Sequence, residues 1–564
     1  MNVFDSLAAP VLAAFPELGE DDVAFVPPPK LDLGDVAMRT FEAARKLGMS
    51  PPAVAARIAK EVSFGEAVRE VSAAGPYLNF KLDRTAFART ITAAIQEQGA
   101  RFGSNASGEG RRVLIEHTSI NPNASPHVGR ARCAMIGDSL VRLLRFEGYE
   151  VETHYYVNDM GRQIGLLVLV CGDLDGVTFD GILERYVDAN ARAESDPEFA
   201  EQGYALLAKM EERDPETMAR FHAVTDLCLD GQLAVLGRLG VTFDVFDRES
   251  KYIADPRLEG VLDALRGREA LFTDEEQRLV VDLSKLGHER DEGRYFVLMR
   301  ANGSSMYGYR DLAYAIDKLE RGADSNLMVL GEDHKLYAEQ MGLILNCAGF
   351  PAAEAVYYSY ILLKEGKMST RQGKVVLLAD FLDEAAARAL SKVEEQCTEL
   401  SPDEQQEIAQ QVAVAAIRFA VLRVNPNKNV IFDWEASLSF TGDTGPYVQY
   451  SCARINSILR KYGKVPAALP EPFPTETDAE WALLLKLASF PDAVAAAVKQ
   501  RNASGMAQFV LDTARLFTTF YHECPVIKAD SEELRVARAH LCAATLQTLQ
   551  NALGILGMNA PERM

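Results

Sequence analysis

The sequence predicts a three-part chain: a small α+β module, an α/β core on a parallel sheet, and an all-helical C-terminal third. Three observations carry that reading. An apolar strand pattern, a helix and a second strand follow one another in VLIEHTS, NPNASPHVGRARCAMIGDSLVRLL and VETHYYV, the spacing of a βαβ unit. From about residue 384 onward apolar residues recur at helical spacing, with QQVAVAAIRFAVLRV the most apolar run. Residues 99–112, GARFGSNASGEGRR, are rich in Gly and Ser and read as a linker that sets off the N-terminal module.

Each part has its own elements. Helical periodicity in VAMRTFEAARKLGM and PAVAARIAKEV and strand alternation in YLNFKL make the module α+β. In the core, residues of about 160–290 read as an insertion with a long acidic helical stretch, RYVDANARAESDPEFAEQGYALLAKMEERD. Alternation resumes with YFVLMR, NLMVLG and YYSYILLK, and KVPAALPEPFPTETD breaks the C-terminal helices. The expected domains are 1–105, 106–384 and 385–564, and 564 residues allow three or four.

Composition excludes several classes. No run of about 18 uncharged apolar residues occurs, so no membrane span is expected, and the early acids argue against a signal peptide. The 8 cysteines are scattered without a C-x-x-C pair, so neither a metal site nor a disulfide framework is expected, and a reducing cytoplasm is the expected compartment. A net charge of −22 disfavours a nonspecific polyanion binder but leaves room for a local basic patch. His117, His154, His222, His288, His522 and His540 show no ligand spacing and read as core or surface residues.

Two motifs carry chemistry. In the first, Ser125 reads as an N-cap and Pro126 as the first helical turn, ahead of an apolar stripe of Cys133, Ile136, Leu140 and Leu144. This is a capped helix on a sheet. A second reading stays open, a phosphate site, because a helix N-terminus presents free N–H groups and a positive dipole end, although neither G-x-G-x-x-G nor G-x-x-x-x-G-K-S/T is present. His127 would donate to phosphate, and Gly129 would let a nucleobase lie near the backbone. The second, EGKMSTRQGKVV, places Lys367, Arg371 and Lys374 on a glycine-flanked loop. Such a run is usually a solvated surface, but loop cations also stabilise charge on a transferring phosphate.

HVGR (127–130) after a first strand with KMSTR (367–371) after a late one resembles the paired HIGH and KMSKS motifs of class I aminoacyl-tRNA synthetases, which sit on a Rossmann core. Further segments resemble the arginyl-tRNA synthetases: LGDVA and AGPYLNFKL at the N-terminus, IEHTSINPN, MYGYRDLAYAIDK, VLGEDHKLYAEQ, FDWEASLSFTGDTGPYVQYSCARINSILRK and the terminal APERM. The resemblance implies an additional N-terminal domain contacting tRNA, an insertion without an editing function, and a helical DALR-type anticodon-binding domain. It implies catalytic roles for His127, Gly129, Arg130, Lys367, Met368, Ser369 and Arg371, and an arginine site made of Glu116, Ser119, Asn121, Tyr307, Asp311 and His334. It also implies tRNA contacts by Asn79, Tyr447, Gln449 and Arg454. The residue types suit a guanidinium, which needs acceptor-only partners: Asp311 and Glu116 would clamp it with the Tyr307 hydroxyl, while Asn121, Ser119 and His334 hold the amino-acid end. Asp311 reads equally as the N-cap of LAYAIDKL.

The activity so implied is ATP-dependent formation of arginyl-adenylate, needing bound tRNA, then transfer to the 3′ end of arginine tRNA. The expected substrates are ATP with Mg2+, L-arginine and arginine tRNA, with no prosthetic group and no membrane partner, and the expected state is a monomer. Two departures from the strict motifs, Arg130 for the second His and Thr370-Arg371 for Lys-Ser, keep a non-catalytic tRNA-binding paralogue open. A HIGH-type nucleotidyltransferase acting on a small molecule is the other alternative.

Overall fold

The computed structural model describes residues 4–26, 28, 33–65, 67–172, 174–363 and 376–564. The KMSTR residues Lys367, Met368, Ser369 and Arg371, with Lys374, lie outside the described residues.

The core is a five-stranded parallel sheet. From one edge its strands are Glu354–Tyr358, Ser325–Gly331, Arg112–Glu116, Glu150–Val157 and Val245–Arg248. The strand Arg112–Glu116 is central, with the next strand in sequence on one side and a much later one on the other. The chain therefore reverses its direction of winding there, and a crevice opens at the carboxyl ends of these strands. The HVGR helix, Val128–Phe146, leaves from this point and is buried along most of its length.

The insertion expected at about 160–290 is corrected. Its helices, from Arg162–Cys171 to Pro215–Gly237, form the crossover to the edge strand Val245–Arg248, which belongs to the core sheet. The acidic stretch is two helices, because Asp196 ends the first and caps the second ahead of Pro197. YFVLMR also leaves the core sheet: Tyr295–Met299 pairs with Leu279–Asp282, and that with Leu271–Thr273, in a small antiparallel sheet.

The N-terminal module is a four-stranded antiparallel sheet with helices. VAMRTFEAARKLGM divides into the strand Val36–Arg39 and the helix Phe41–Leu47. Buried Thr40 sets the break, its hydroxyl lying 2.8 Å from the carbonyl oxygens of Pro51 and Pro76. Residues 99–112 are no free linker. Phe102 is buried against Phe490, Asn551 donates to the Gly99 and Phe102 carbonyls, and Glu147 receives the Asn105 and Ser107 N–H groups. A Cβ on Gly103 would stand 2.2 Å from the Phe490 ring. Small residues are thus required here by close packing as well as by turns.

The C-terminal helices pack on both other parts. The Trp481 indole donates to Asp35 of the N-terminal module at 2.6 Å, and Phe87 meets the Trp481 ring edge-on. The stretch Asp478–Gln500 is long and apolar enough to cross a membrane by length and composition, although its charges keep it out of a count of uncharged runs. It is two helices, Asp478–Ala488 and Phe490–Lys499, and Trp481, Leu484, Leu487, Phe490 and Val494 lie in the main core.

Candidate active site

A cavity of about 710 Å³ opens at the crevice. One wall is the helix Tyr307–Glu320, which presents Tyr307, Asp311, Tyr314, Ala315 and Lys318, a single face at helical spacing. Asp311 stands in its second turn, so the alternative reading as an N-cap is corrected; Met306 holds that position.

Three enclosed carboxylates line the cavity, and two have cationic partners. Glu249 receives the Arg310 Nε–H at 2.7 Å, both residues being buried. Glu116 is paired with buried Lys318, whose ammonium also lies 4.2 Å from the centre of the Tyr314 ring. Asp311 forms no salt bridge among the described residues; its carboxylate accepts from the Tyr337 hydroxyl at 2.5 Å. Burial pushes the Asp311 carboxyl up to about 6, opposed by the Tyr337 hydrogen bond. Burial likewise raises Glu249 to about 7 despite Arg310.

The other predicted arginine-site residues divide. Tyr307 is 55% exposed at the cavity rim with its ring 5.3 Å from that of Tyr337, and His334 lies on the same rim. Asn121 also lines the cavity, accepting from Asn158 at 2.7 Å. Ser119 does not line it: its hydroxyl accepts the Tyr156 N–H at 3.1 Å and ties the turn to the next strand. Thr118 and Ser119 have φ of 76° and 42°. Two consecutive left-handed non-glycine residues are strained, as backbone at ligand sites often is. Tyr156, Tyr337, Glu249, Arg310 and Lys318 escaped the sequence reading. Lys318 was reachable, being seven residues beyond Asp311 on one helix face.

The HVGR helix starts later than expected. His127 is its N-cap, so Ser125 does not cap it, and Pro126 stands outside. The physical reason is pairing with the chain beyond the KMSTR segment. The Leu378 N–H donates to the Pro126 carbonyl at 2.7 Å, the Val128 N–H to the Val376 carbonyl at 3.1 Å, and His127 and Leu377 form an antiparallel bridge. On the other flank the strand Ile361–Leu363 pairs in parallel with Val430–Phe432. The chain on the far side of the KMSTR segment, more than 240 residues on in sequence, is thereby anchored to the start of the HVGR helix.

Burial, and next the neighbouring Arg130 charge, lower the basicity of His127, so its imidazole is neutral at neutral pH. Its Nδ1 is buried without a partner among the described residues. Gly129 lies in the first turn, and half-buried Arg130 forms no salt bridge among the described residues.

The predicted tRNA residues fare unevenly. Gln449 is 0% exposed and donates to the Gln411 and Asn559 carbonyls, bracing the C-terminus; as a surface contact it is corrected. Tyr447 is half-buried with its hydroxyl 3.0 Å from that of Thr518, and Asn79 is buried in its sheet. Arg454 is also half-buried, its guanidinium 4.7 Å from the Tyr450 ring centre and 4.9 Å from that of Tyr521. Phe517 and Phe520 are core. Among the described residues no group of three His, Cys, Asp or Glu side chains is placed to hold a metal ion.

Comparison with known proteins matches all three parts. The family described as tRNA synthetases class I (R), catalytic domain, matches residues 90–434. The DALR anticodon binding domain matches 448–564, and the arginyl tRNA synthetase N terminal domain 4–82. The arginine–tRNA ligase of Methanosarcina acetivorans is 36% identical, with 94% of each chain covered. That of Methanothermobacter thermautotrophicus is 36% identical with 98% of each covered. The solved Thermus thermophilus arginyl-tRNA synthetase superposes with a TM-score of 0.82 at 29% identity, covering 99% of this chain and 100% of that one. With its catalytic core, N-terminal module and helical C-terminal domain all matched, the chain belongs to the arginyl-tRNA synthetases of class I.

Proposed function

We propose that the chain is an arginine–tRNA ligase whose cavity seats the arginine guanidinium on Asp311. The observation that carries this is the pairing of the enclosed carboxylates that line the cavity: Glu249 and Glu116 each face a buried cation, Arg310 and Lys318, while Asp311 has no salt-bridge partner among the described residues. A guanidinium supplies the missing cation and two parallel donors. Tyr307 closes over it, while Asn121 and His334 hold the amino-acid end at the rim. Glu116 shapes the wall as half of an ion pair.

The arginine carboxylate then attacks the α-phosphorus of ATP in line, forming arginyl-adenylate and expelling pyrophosphate. The terminal ribose hydroxyl of tRNA attacks the acyl carbon and AMP leaves. Positioning and charge stabilisation carry the rate. The HVGR helix N-terminus and His127 hold ATP phosphates, magnesium enters with ATP as co-substrate, and the KMSTR cations balance charge on the departing pyrophosphate. We read the enzyme as a cytoplasmic monomer, an expectation that sedimentation of the purified chain tests. Arginine-dependent ATP–pyrophosphate exchange, assayed with and without arginine tRNA, tests the activity. Absence of exchange with tRNA present sinks it.

Arg130 replaces an imidazole with a permanently charged planar fork facing the ATP ribose or phosphates. Arg130→His is expected to retain most exchange activity. Arg130→Ala is expected to slow exchange about tenfold, the size of one lost charge-assisted hydrogen bond, with the arginine KM little changed. Wild-type turnover in Arg130→Ala places the residue outside the machinery.

Arg454, flanked by two tyrosine rings and lacking a salt bridge among the described residues, is offered to tRNA phosphate or a splayed base. Arg454→Ala is expected to raise the KM for tRNA several-fold and leave those for arginine and ATP unchanged.

A further inference from the structure

We propose that Arg132 is a positioning residue that sets the HVGR helix against the strand leading into the KMSTR segment. The inference rests on reading HVGR as the adenylate site. Arg132 is 0% exposed and forms no salt bridge among the described residues. Its guanidinium is held by backbone carbonyls: Nη1 donates to Ser359 at 2.6 Å and Tyr360 at 3.2 Å, and Nη2 to Asn425 at 3.2 Å. Its Nε is buried without a partner among the described residues. A buried cation on carbonyls alone is an expensive way to fill a core, where a methionine fits with less desolvation. What it provides is a rigid planar fork that fixes three backbone points at once.

Those points are well placed. Ser359 and Tyr360 form the turn between the strands Glu354–Tyr358 and Ile361–Leu363, the second of which ends where the KMSTR segment begins. Asn425 follows the helix Pro402–Leu422, whose C-terminal dipole end favours a cation. The two segments are also tied to each other: Ser359 N–H donates to Pro426 O at 2.9 Å, and Tyr360 N–H to the Asn429 side chain at 3.0 Å. The Ser359 hydroxyl donates to Glu332 at 2.6 Å, in the GEDH turn that carries His334 to the cavity rim. Arg132 lies five residues beyond His127 on the same helix, so its anchorage sets both the height and the rotation of the helix start. Burial lowers its basicity to about 10, which still leaves it charged at neutral pH.

The test compares Arg132→Met, Arg132→Lys and Ser359→Ala by arginine-dependent pyrophosphate exchange with tRNA present, alongside thermal unfolding. Misplacement of the helix by a fraction of an ångström is expected to lower kcat for Arg132→Met about 10- to 100-fold, with the arginine KM within about twofold. Arg132→Lys retains the charge but not the fork, and is expected to fall about fivefold to tenfold. Ser359→Ala leaves the carbonyl in place and is expected to lose less than either. A kcat near wild type in Arg132→Lys overturns the proposal, as does a loss of activity that merely follows the folded fraction. If Arg132→Met fails to fold, Arg132→Lys alone decides. Absence of arginine-dependent exchange in the wild-type chain overturns the adenylate-site reading instead, and the inference with it.

Discussion

Asp311→Asn is expected to abolish arginine activation while making the folded chain more stable at neutral pH. Both effects have one cause. The carboxylate is enclosed by protein with neutral hydroxyls, Tyr337 at 2.5 Å and Tyr156 beside it, and no salt bridge among the described residues, so its ionised form is held at a cost until a guanidinium arrives. An amide keeps the shape and can still accept from Tyr337. It removes the charge and turns one acceptor into a donor facing the substrate's donors. Losing a buried charge-assisted pair is worth about 3–5 kcal/mol, or roughly a 10²- to 10⁴-fold fall in kcat/KM for arginine. The sign of the stability change follows from linkage. The folded-state value of about 6 lies above the ordinary 3.8, so the carboxyl penalises the folded state only where it must ionise. The penalty is absent below pH 3.8, grows between there and about 6, and is complete above. Asp311→Asn should therefore gain on the order of 2 kcal/mol at pH 7.5, discounted for water in the cavity, and nothing at pH 3.5. In the wild type, kcat/KM for arginine should fall tenfold per unit as pH drops below about 6, since that profile reports the free enzyme. Urea unfolding at two pH values and the kinetic profile check the two halves separately. An asparagine variant that still activates arginine places the guanidinium elsewhere.

What the sequence showed and what it hid divide along range. The strand-helix-strand unit around HVGR was legible because hydrophobic period and turn residues are local signals. Asp311 and Tyr307 were legible through their motif, and both line the cavity. The helix start at Val128 was not, because a pairing with residues 376–378 overrides the good capping sequence at Ser125. Glu116 shows the same limit in chemistry. Its burial was inferable from the apolar strand around it, and so was its need for a partner, but that the partner in the fold is Lys318, more than 200 residues away, was not. Gln449 sits in the most recognisable stretch of the C-terminal domain, yet its amide braces the chain terminus. A motif marks where side chains matter, and only the packing tells whether they face a ligand or the interior.

Arg418→Ala is expected to destabilise the joint between the catalytic core and the C-terminal domain by about 3–5 kcal/mol, the range for breaking a buried ion pair from one side. Arg418 is 0% exposed in the helix Pro402–Leu422. It pairs with Asp138 of the HVGR helix and donates to the carbonyls of Leu556 at 2.6 Å and Leu239 at 2.8 Å. The site is built tightly around it: a Cβ on Gly557, whose φ is +68°, would fall 2.3 Å from its Nη2. Removing the guanidinium leaves two buried carbonyl oxygens unpaired and Asp138 with Arg142 as its remaining salt-bridge partner among the described residues, 2.7 Å away at the surface side. Arg418→Met fills the volume without satisfying those oxygens, so it should recover the cavity term alone. Adding Asp138→Leu to Arg418→Met removes the stranded carboxylate and should recover part of the remainder, which a double-mutant cycle reads as coupling. If Arg418→Met unfolds with the wild-type midpoint, water has replaced the guanidinium and the pair is no staple. Arg418 reaches from the helix Pro402–Leu422 to the HVGR helix, while Arg132 reaches from the HVGR helix to the chain just beyond that same helix. The HVGR helix is therefore clamped to the helix Pro402–Leu422 and to the chain just beyond it by two arginines of opposite direction. Loosening the distal clamp should also lower exchange activity in the fraction that remains folded.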